Sequence, residues 1–378
     1  MVLQVDIFKV FNPELEKIWC KFEKEAVTSP FQFYSWLSHW QNTIGEPLHS
    51  VQPQVVLVKE KGDLMAIFPL GIRESFGVSI LEWLGGENSD YMGPLLSEEW
   101  AIIEENILPY WQHVLGKLDP FDVIHLKKQS EHIGTFLNPF VGLQSCSRNL
   151  LAYQASLSDS WKEFYEKSVK TKSRADSLRQ RRRLTELGEI HFLVAEDKGM
   201  KKKILSKMIY QKSRRYRDTG AWDMLSVPEH KAFYEKLADI QDDHLNIHCA
   251  ALFVGDIIVS THVGIVDQDT FYYMMPSHEG GYWEKFSTGR LLLEHLMEWS
   301  IQNKLKVFDF TVGGEQYKKD WCDIETKLFE TLGAFTTKGK IYTLAQRTKQ
   351  SIKQRPWLGS QARKINVWLK NESKLIGR

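Results

Sequence analysis

One stretch, residues 284–321 (EKFSTGRLLLEHLMEWSIQNKLKVFDFTVGGEQYKKDW), constrains this chain more than any other. Its small polar opening, Phe286, Ser287, Thr288 and Gly289, precedes apolar residues at helical spacing, which predicts a helix over 290–302. Residues 307–310 then read as a short strand, and 311–321 as a polar loop with glycine. A helix start presents N–H groups without intrahelical acceptors and the positive end of a dipole, a ready place for phosphate. The strand end delivers Asp309, then Glu315, Tyr317 and Lys318, groups that move protons or grip an anion. This order predicts an acyltransferase, with a pyrophosphate-bearing donor at the helix start and an acceptor at the strand end.

Each part has a plainer use. Ser287-Thr288-Gly289-Arg290 holds one glycine, and many helices open with a Ser/Thr cap and a glycine. The antiparallel meander before it and the strand after it strengthen the phosphate reading, while plain capping stays the commoner use of such a start. Arg290 either adds a charged contact or faces solvent. Asp309 points away from Phe308 and Phe310, either into a solvated loop or towards an acceptor as a base. The segment holding Glu315, Tyr317 and Lys318 also contains Trp321, and two aromatic residues there favour a cleft over open surface.

At 378 residues the chain is long for one core and predicts two units. With 43% hydrophobic residues it folds, and its 13 Trp are expected mostly in cores. Cys20, Cys146, Cys249 and Cys322 are scattered without metal or disulfide spacing. The first residues lack the pattern of a signal peptide, and no apolar run reaches spanning length. A cytoplasmic protein without a metal site is expected. Charge is uneven: from Lys338 onward stand eleven Lys and Arg against one acid, which leaves 38 basic and 47 acidic residues before it. Such a basic tail suits an anionic membrane surface or nucleic acid.

Along the chain, 54–59 and 64–72 read as a hairpin, 79–84 as a strand, 98–115 as a helix and 122–126 as a strand. A strand at 149–157 leads to a basic helix at 170–187 and helices at 198–217 and 228–241. Strands at 246–254, 257–266 and 270–275 follow, and 327–332 is the last. The recurring order predicts two similar α/β units in tandem, each a mostly antiparallel sheet flanked by helices. The basic helix, with Arg174, Arg179, Arg181, Arg182 and Arg183, suits RNA, a phosphorylated acceptor or, more commonly for a charge run, a solvated face, and no interleaved aromatics support base stacking.

The motifs FSTGRLLL and VFDFTVGGEQYK resemble the BioF2-like or CelD (BcsL) group of the GNAT acetyltransferase superfamily. In that group a Ser-x-Gly-Arg-Leu-Leu helix start is followed by Phe-Asp-Phe and then Gly-x-Glu-x-Tyr-Lys. Pro30-Phe31-Gln32 before Trp36, and the loop at 84–91, are also similar, so the likeness extends to about residue 335. It implies tandem GNAT domains over 1–157 and 158–337, a tail over 338–378, acetyl-CoA or another acyl-CoA as co-substrate, and a sugar or polysaccharide precursor as acceptor. Ser287, Thr288, Gly289, Arg290 and Leu291 would form the pyrophosphate loop. Asp309, Glu315, Tyr317 and Lys318 would face the acceptor. The usual superfamily loop, Gln/Arg-x-x-Gly-x-Gly/Ala, is met here only at Gly289, since Phe286 and Leu291 fill its outer positions. The Fem-type transferases, which take aminoacyl-tRNA, resemble the chain in their late Tyr/Phe-Lys motif and give an alternative; a non-catalytic, membrane-associated protein of the same fold is a third.

Overall fold

Most of the chain is built on one mixed sheet, described by a computed structural model for residues 3–102, 107–143, 146–242 and 244–354. In the first half β1 (Leu3–Phe8), β2 (Gln52–Glu60), β3 (Asp63–Ser75) and β4 (Val78–Trp83) form an antiparallel meander. Lys61 and Gly62 turn the β2–β3 hairpin with φ of 51° and 96°, the left-handed values that a tight hairpin turn requires. β5 (Val123–Ser130) then lies parallel to β4. Also on the main path of the sheet are β6 (Cys146–Ser156), β7 (Ile190–Val194), β8 (Asn246–Val254), β9 (Ile257–Asp267), β10 (Thr270–Tyr272), β11 (Val307–Val312) and β12 (Ile324–Ala334).

The spatial order is β1-β2-β3-β4-β5-β12-β6-β11-β10-β9-β8-β7. The last strand in sequence, β12, is antiparallel to both β5 and β6 and so stitches the two halves of the sheet together. Around the sheet lie α1 (Pro13–Phe22), α2 (Tyr34–Trp40), α3 (Thr171–Thr185), α4 (Lys198–Thr219), α5 (Pro228–Glu235), α6 (Thr288–Gln302), α7 (Gln316–Trp321) and α8 (Thr337–Gln354). Phe68, Trp83, Trp111 and Phe140 meet edge to face in one core; in another Phe271 stacks on Phe308, which meets Phe310 at a tilt. A third core joins the halves, where Trp36 of α2 stands on Phe233 of α5 at 5.2 Å. Trp19, Trp36, Trp40 and Trp83 are fully buried, the expected use of tryptophan here.

Within the stretch predicted as a helix over 98–115, the described residues Glu98–Ile102 and Ile107–Leu115 are helical. Elsewhere the sequence and the fold differ. The predicted loop at 311–321 contains α7. The predicted tail begins as α8, packed across β12, β5 and β4. Trp357 and Trp368, the tail's aromatic residues, lie outside the described residues.

Helix α6 is apolar on most sides and buried among the cores through Leu291, Leu292, Leu293, Leu296, Met297 and Ile301. One carboxylate, Glu294, is buried with them at 1% exposure. Burying a charge is costly unless it is fully partnered. Tyr165 Oη (3.0 Å), Ser177 Oγ (2.5 Å) and Arg181 Nη2 (3.0 Å) all donate to it. This network fixes α3 against α6.

Candidate active site

β10 and β11 run parallel only from Thr270↔Val307 to Tyr272↔Asp309. Beyond that point they separate. The chain after β10 swings back, and Ser277 and His278 pair with Thr261 and Ser260 of β9. β11 stays with β6 but loses register between Asp309 and Val312, where Thr311 takes a left-handed φ of 57°. Between the diverging strands opens a cleft of about 700 Å³.

The start of α6 forms one wall. Ser287, at φ 52°, precedes the helix, and no side chain caps this end. Its carbonyl accepts from Arg290 N at 3.0 Å and Leu291 N at 3.2 Å, so the groups that helix geometry leaves without intrahelical acceptors are the N–H of Thr288 and Gly289. The expected cradle over 287–291 is therefore narrower. Ser287, Thr288, Gly289 and Arg290 line the cleft, whereas Leu291 is 1% exposed in the core and does not. The Arg290 guanidinium is held by Asp176 of α3 rather than standing free for phosphate.

Cations from other elements complete this wall. Lys212 and Arg215, one turn apart on α4, and Lys170 line the cleft. Lys212 Nζ donates to Pro276 O at 3.1 Å, and burial, with Arg215 nearby, pushes its ammonium down to about 8. Arg215 Nη1 lies 2.6 Å from His278 Nε2, and His278 Nδ1 lies 3.1 Å from Glu279 O. The consistent tautomer has Nδ1–H donating to the carbonyl and Nε2 accepting from arginine. Burial pushes the His278 pKa down, which agrees with a neutral ring.

The opposite wall carries Glu315, Tyr317, Asp320 and Trp321. Glu315 pairs with Lys318 Nζ at 3.1 Å, and that ammonium also donates to Val312 O at 3.1 Å. Lys318 is buried behind the wall and does not line the cleft. A side chain at Gly313 (φ 147°) would collide with both members of this pair, so the glycine makes their meeting possible. Burial and the Glu315 charge push the Tyr317 phenol well above its ordinary value. Tyr273, also lining the cleft, stacks on His262 at 4.7 Å. Across the mouth, Lys170 pairs with Asp320 at 2.9 Å.

Asp309 is elsewhere. It is 1% exposed and accepts from Tyr91 Oη (2.9 and 3.0 Å), Gln154 Nε2 (2.9 Å) and Thr311 N (2.6 Å). Burial raises its carboxyl to about 6. It joins β11 to the first half of the chain and does not line the cleft. Conversely, the sequence did not single out Lys212, Arg215, Tyr273 or His278. The only available signal was the spacing of Lys212 and Arg215, three apart on a predicted helix. Among the described residues no group of three or more His, Cys, Asp or Glu is placed to hold a metal ion, and no helix is long and apolar enough to cross a membrane.

Solved structures share this architecture. A crystal structure of FemX is 9% identical, covering 87% of this chain and 97% of that one, with a TM-score of 0.59. A conserved protein of unknown function from Bacteroides thetaiotaomicron is 8% identical over 87% and 100% of the two chains, with a TM-score of 0.55. L-PGS from Bacillus licheniformis is 11% identical over 91% and 97%, with a TM-score of 0.50. At such identities the likeness is one of fold. No curated protein matches the sequence. Residues 171–319, the span from α3 into α7 that holds most of the cleft, match the family model of an acetyltransferase (GNAT) domain, and the chain's class of activity is accordingly acyl transfer.

Proposed function

We propose that the chain moves an acyl group from an acyl-CoA, acetyl-CoA foremost, to an amine or hydroxyl. The resemblance to the BioF2-like and CelD group implies a saccharide or polysaccharide precursor as acceptor. One observation carries this reading: the uncapped start of α6, with Lys212 and Arg215, opens into the same cleft as Glu315 and Tyr317. Helix N–H groups and lysine or arginine together suit a diphosphate. The N–H groups of Thr288 and Gly289 would donate to its oxygens, and Lys212 and Arg215 would offset its charge.

Glu315, on the opposite wall, takes the proton of the attacking amine or hydroxyl as it bonds to the acyl carbon. Tyr317, kept protonated by its raised pKa, donates to the departing thiolate sulfur as the carbon–sulfur bond breaks. Lys318 orients Glu315 from behind. Asp309 has a positioning part, holding the end of β11 where the strands diverge.

The tRNA-dependent alternative draws less support. On α3, Arg181 is committed to Glu294, Arg183 lies over the Phe286 ring at 4.9 Å, and Arg179 is held by Asp176. The test is release of free thiol from acetyl-CoA by the full chain, given a panel of amino sugars. Acceptor-dependent thiol that disappears in Glu315→Gln supports the proposal. Absence of thiol release together with tight, salt-sensitive binding of charged tRNA would replace it with the alternative.

A further inference from the structure

Away from the cleft, several apolar side chains stand in solvent at one edge of the first half. Phe76, at the tip of the β3–β4 turn, is fully exposed and held at a left-handed φ of 52°. Helix α8 passes beside this turn, with Lys338 Nζ 3.4 Å from Gly77 O. The helix turns Gly339 and Thr343 inward and keeps Tyr342 half-buried against Val78 and Ile80. Its outer side exposes Ile341 (68%) and Leu344 (67%), large apolar residues that a folded chain has no internal reason to leave in water.

Helical geometry sets what flanks them. At 100° per residue, Ile341, Leu344, Ala345 and Thr348 fall on one outward stripe. Lys340 falls on one side of this stripe, and Lys338 and Lys349 on the other. The acids nearby are occupied: Glu82 pairs with Arg73 at 2.9 Å, and Glu74 accepts from Ser79. In sequence the positive charge continues, since Glu372 is the only acid among the eleven Lys and Arg after residue 337.

We infer that α8 and the Phe76 turn form a docking surface for an anionic phospholipid bilayer. An apolar stripe with lysine on both sides is the pattern of a helix lying in a membrane interface. Phe76, projecting beside the helix start, adds an apolar wedge. Each lysine near an anionic surface adds roughly fivefold to partitioning, and that part weakens with salt. The inference does not depend on the acyl-transfer reading.

The test is sedimentation of the full chain with vesicles of phosphatidylcholine alone or mixed with phosphatidylglycerol. The chain should pellet with the mixed vesicles, less so as salt rises, and stay in solution with the neutral ones. A double variant, Ile341→Glu with Leu344→Glu, should lower binding by roughly tenfold or more, and Phe76→Ser by a smaller factor. All three positions are exposed, so the variants should keep the wild-type far-ultraviolet circular dichroism. The proposal is overturned if the chain ignores phosphatidylglycerol, or if the folded double variant binds as wild type does. It is equally overturned if light scattering shows a dimer that the double variant dissolves while vesicle binding is absent, because a second copy then covers this face.

Discussion

The His278 ring lies against Gly289: a Cβ at Gly289 would stand 3.3 Å from His278 Cδ2. The glycine thus lets the ring reach the start of α6, and the ring in turn accepts from Arg215. A methyl group at Gly289 requires the ring or the helix to yield by a few tenths of an ångström. Gly289→Ala should fold, with a denaturation midpoint that shifts stability by no more than about 1 kcal/mol. Its affinity for CoA should fall a few-fold as Arg215 loses its anchor.

Lys212 makes donor binding depend on pH. Its ammonium titrates near 8, so the cation is present below that pH and lost above it. CoA affinity should be flat below pH 8 and decline as pH rises through it. In Lys212→Met the affinity should be weaker at low pH and the decline absent. Calorimetric titration across that range checks both.

Glu315 and Tyr317 separate chemistry from binding. Glu315→Gln should lower kcat by about 10²-fold or more, the scale of a lost general base, with CoA affinity nearly unchanged. Tyr317→Phe should lower kcat less and leave the fold intact, because Tyr317 is 39% exposed. Steady-state kinetics on thiol release distinguishes these effects.

Asp309 should behave as a structural residue. Asp309→Ala leaves Tyr91 Oη, Gln154 Nε2 and Thr311 N without their buried acceptor. Stability should drop by about 2–4 kcal/mol in urea unfolding. If Asp309→Ala instead keeps wild-type stability and loses turnover, Asp309 has a direct part in catalysis.

Two histidines set the acid limit of the fold. His248 is buried without a hydrogen bond to either ring nitrogen, and burial pushes it down to about 3; His262 beside it is lowered too. Unfolded histidine takes a proton near 6.5, whereas these rings stay neutral in the fold. Stability is therefore fully present above about pH 6.5 and is lost as pH falls towards 3. His248→Leu should flatten part of that acid limb in pH-dependent thermal unfolding.

Much of this was legible in the sequence because apolar spacing alone determines α6, β11 and the β8–β9 hairpin. β1 and β7 were missed for a physical reason. They are the two outermost strands, each paired on one side and only half-buried, so their residues lack the apolar contrast of inner strands. The site was legible only in part. Asp309 and Glu315 look alike at a strand end, and what separates them is Tyr91, brought from 218 residues away to hold one carboxylate in the core. Likewise nothing local to Arg290 reveals its partner Asp176, and nothing local to α4 shows that Lys212 and Arg215 face the start of α6.

The central claim is that the start of α6 holds the donor's diphosphate. Calorimetric titration of CoA into the full chain and into Gly289→Asp, with folding of both verified by circular dichroism, tests it most directly. The added carboxylate opposes the helix dipole's attraction for an anion and occupies the space. The account predicts binding by wild type and at least about tenfold weaker binding by Gly289→Asp. Equal affinity in the two folded proteins, or no affinity in either, would contradict it.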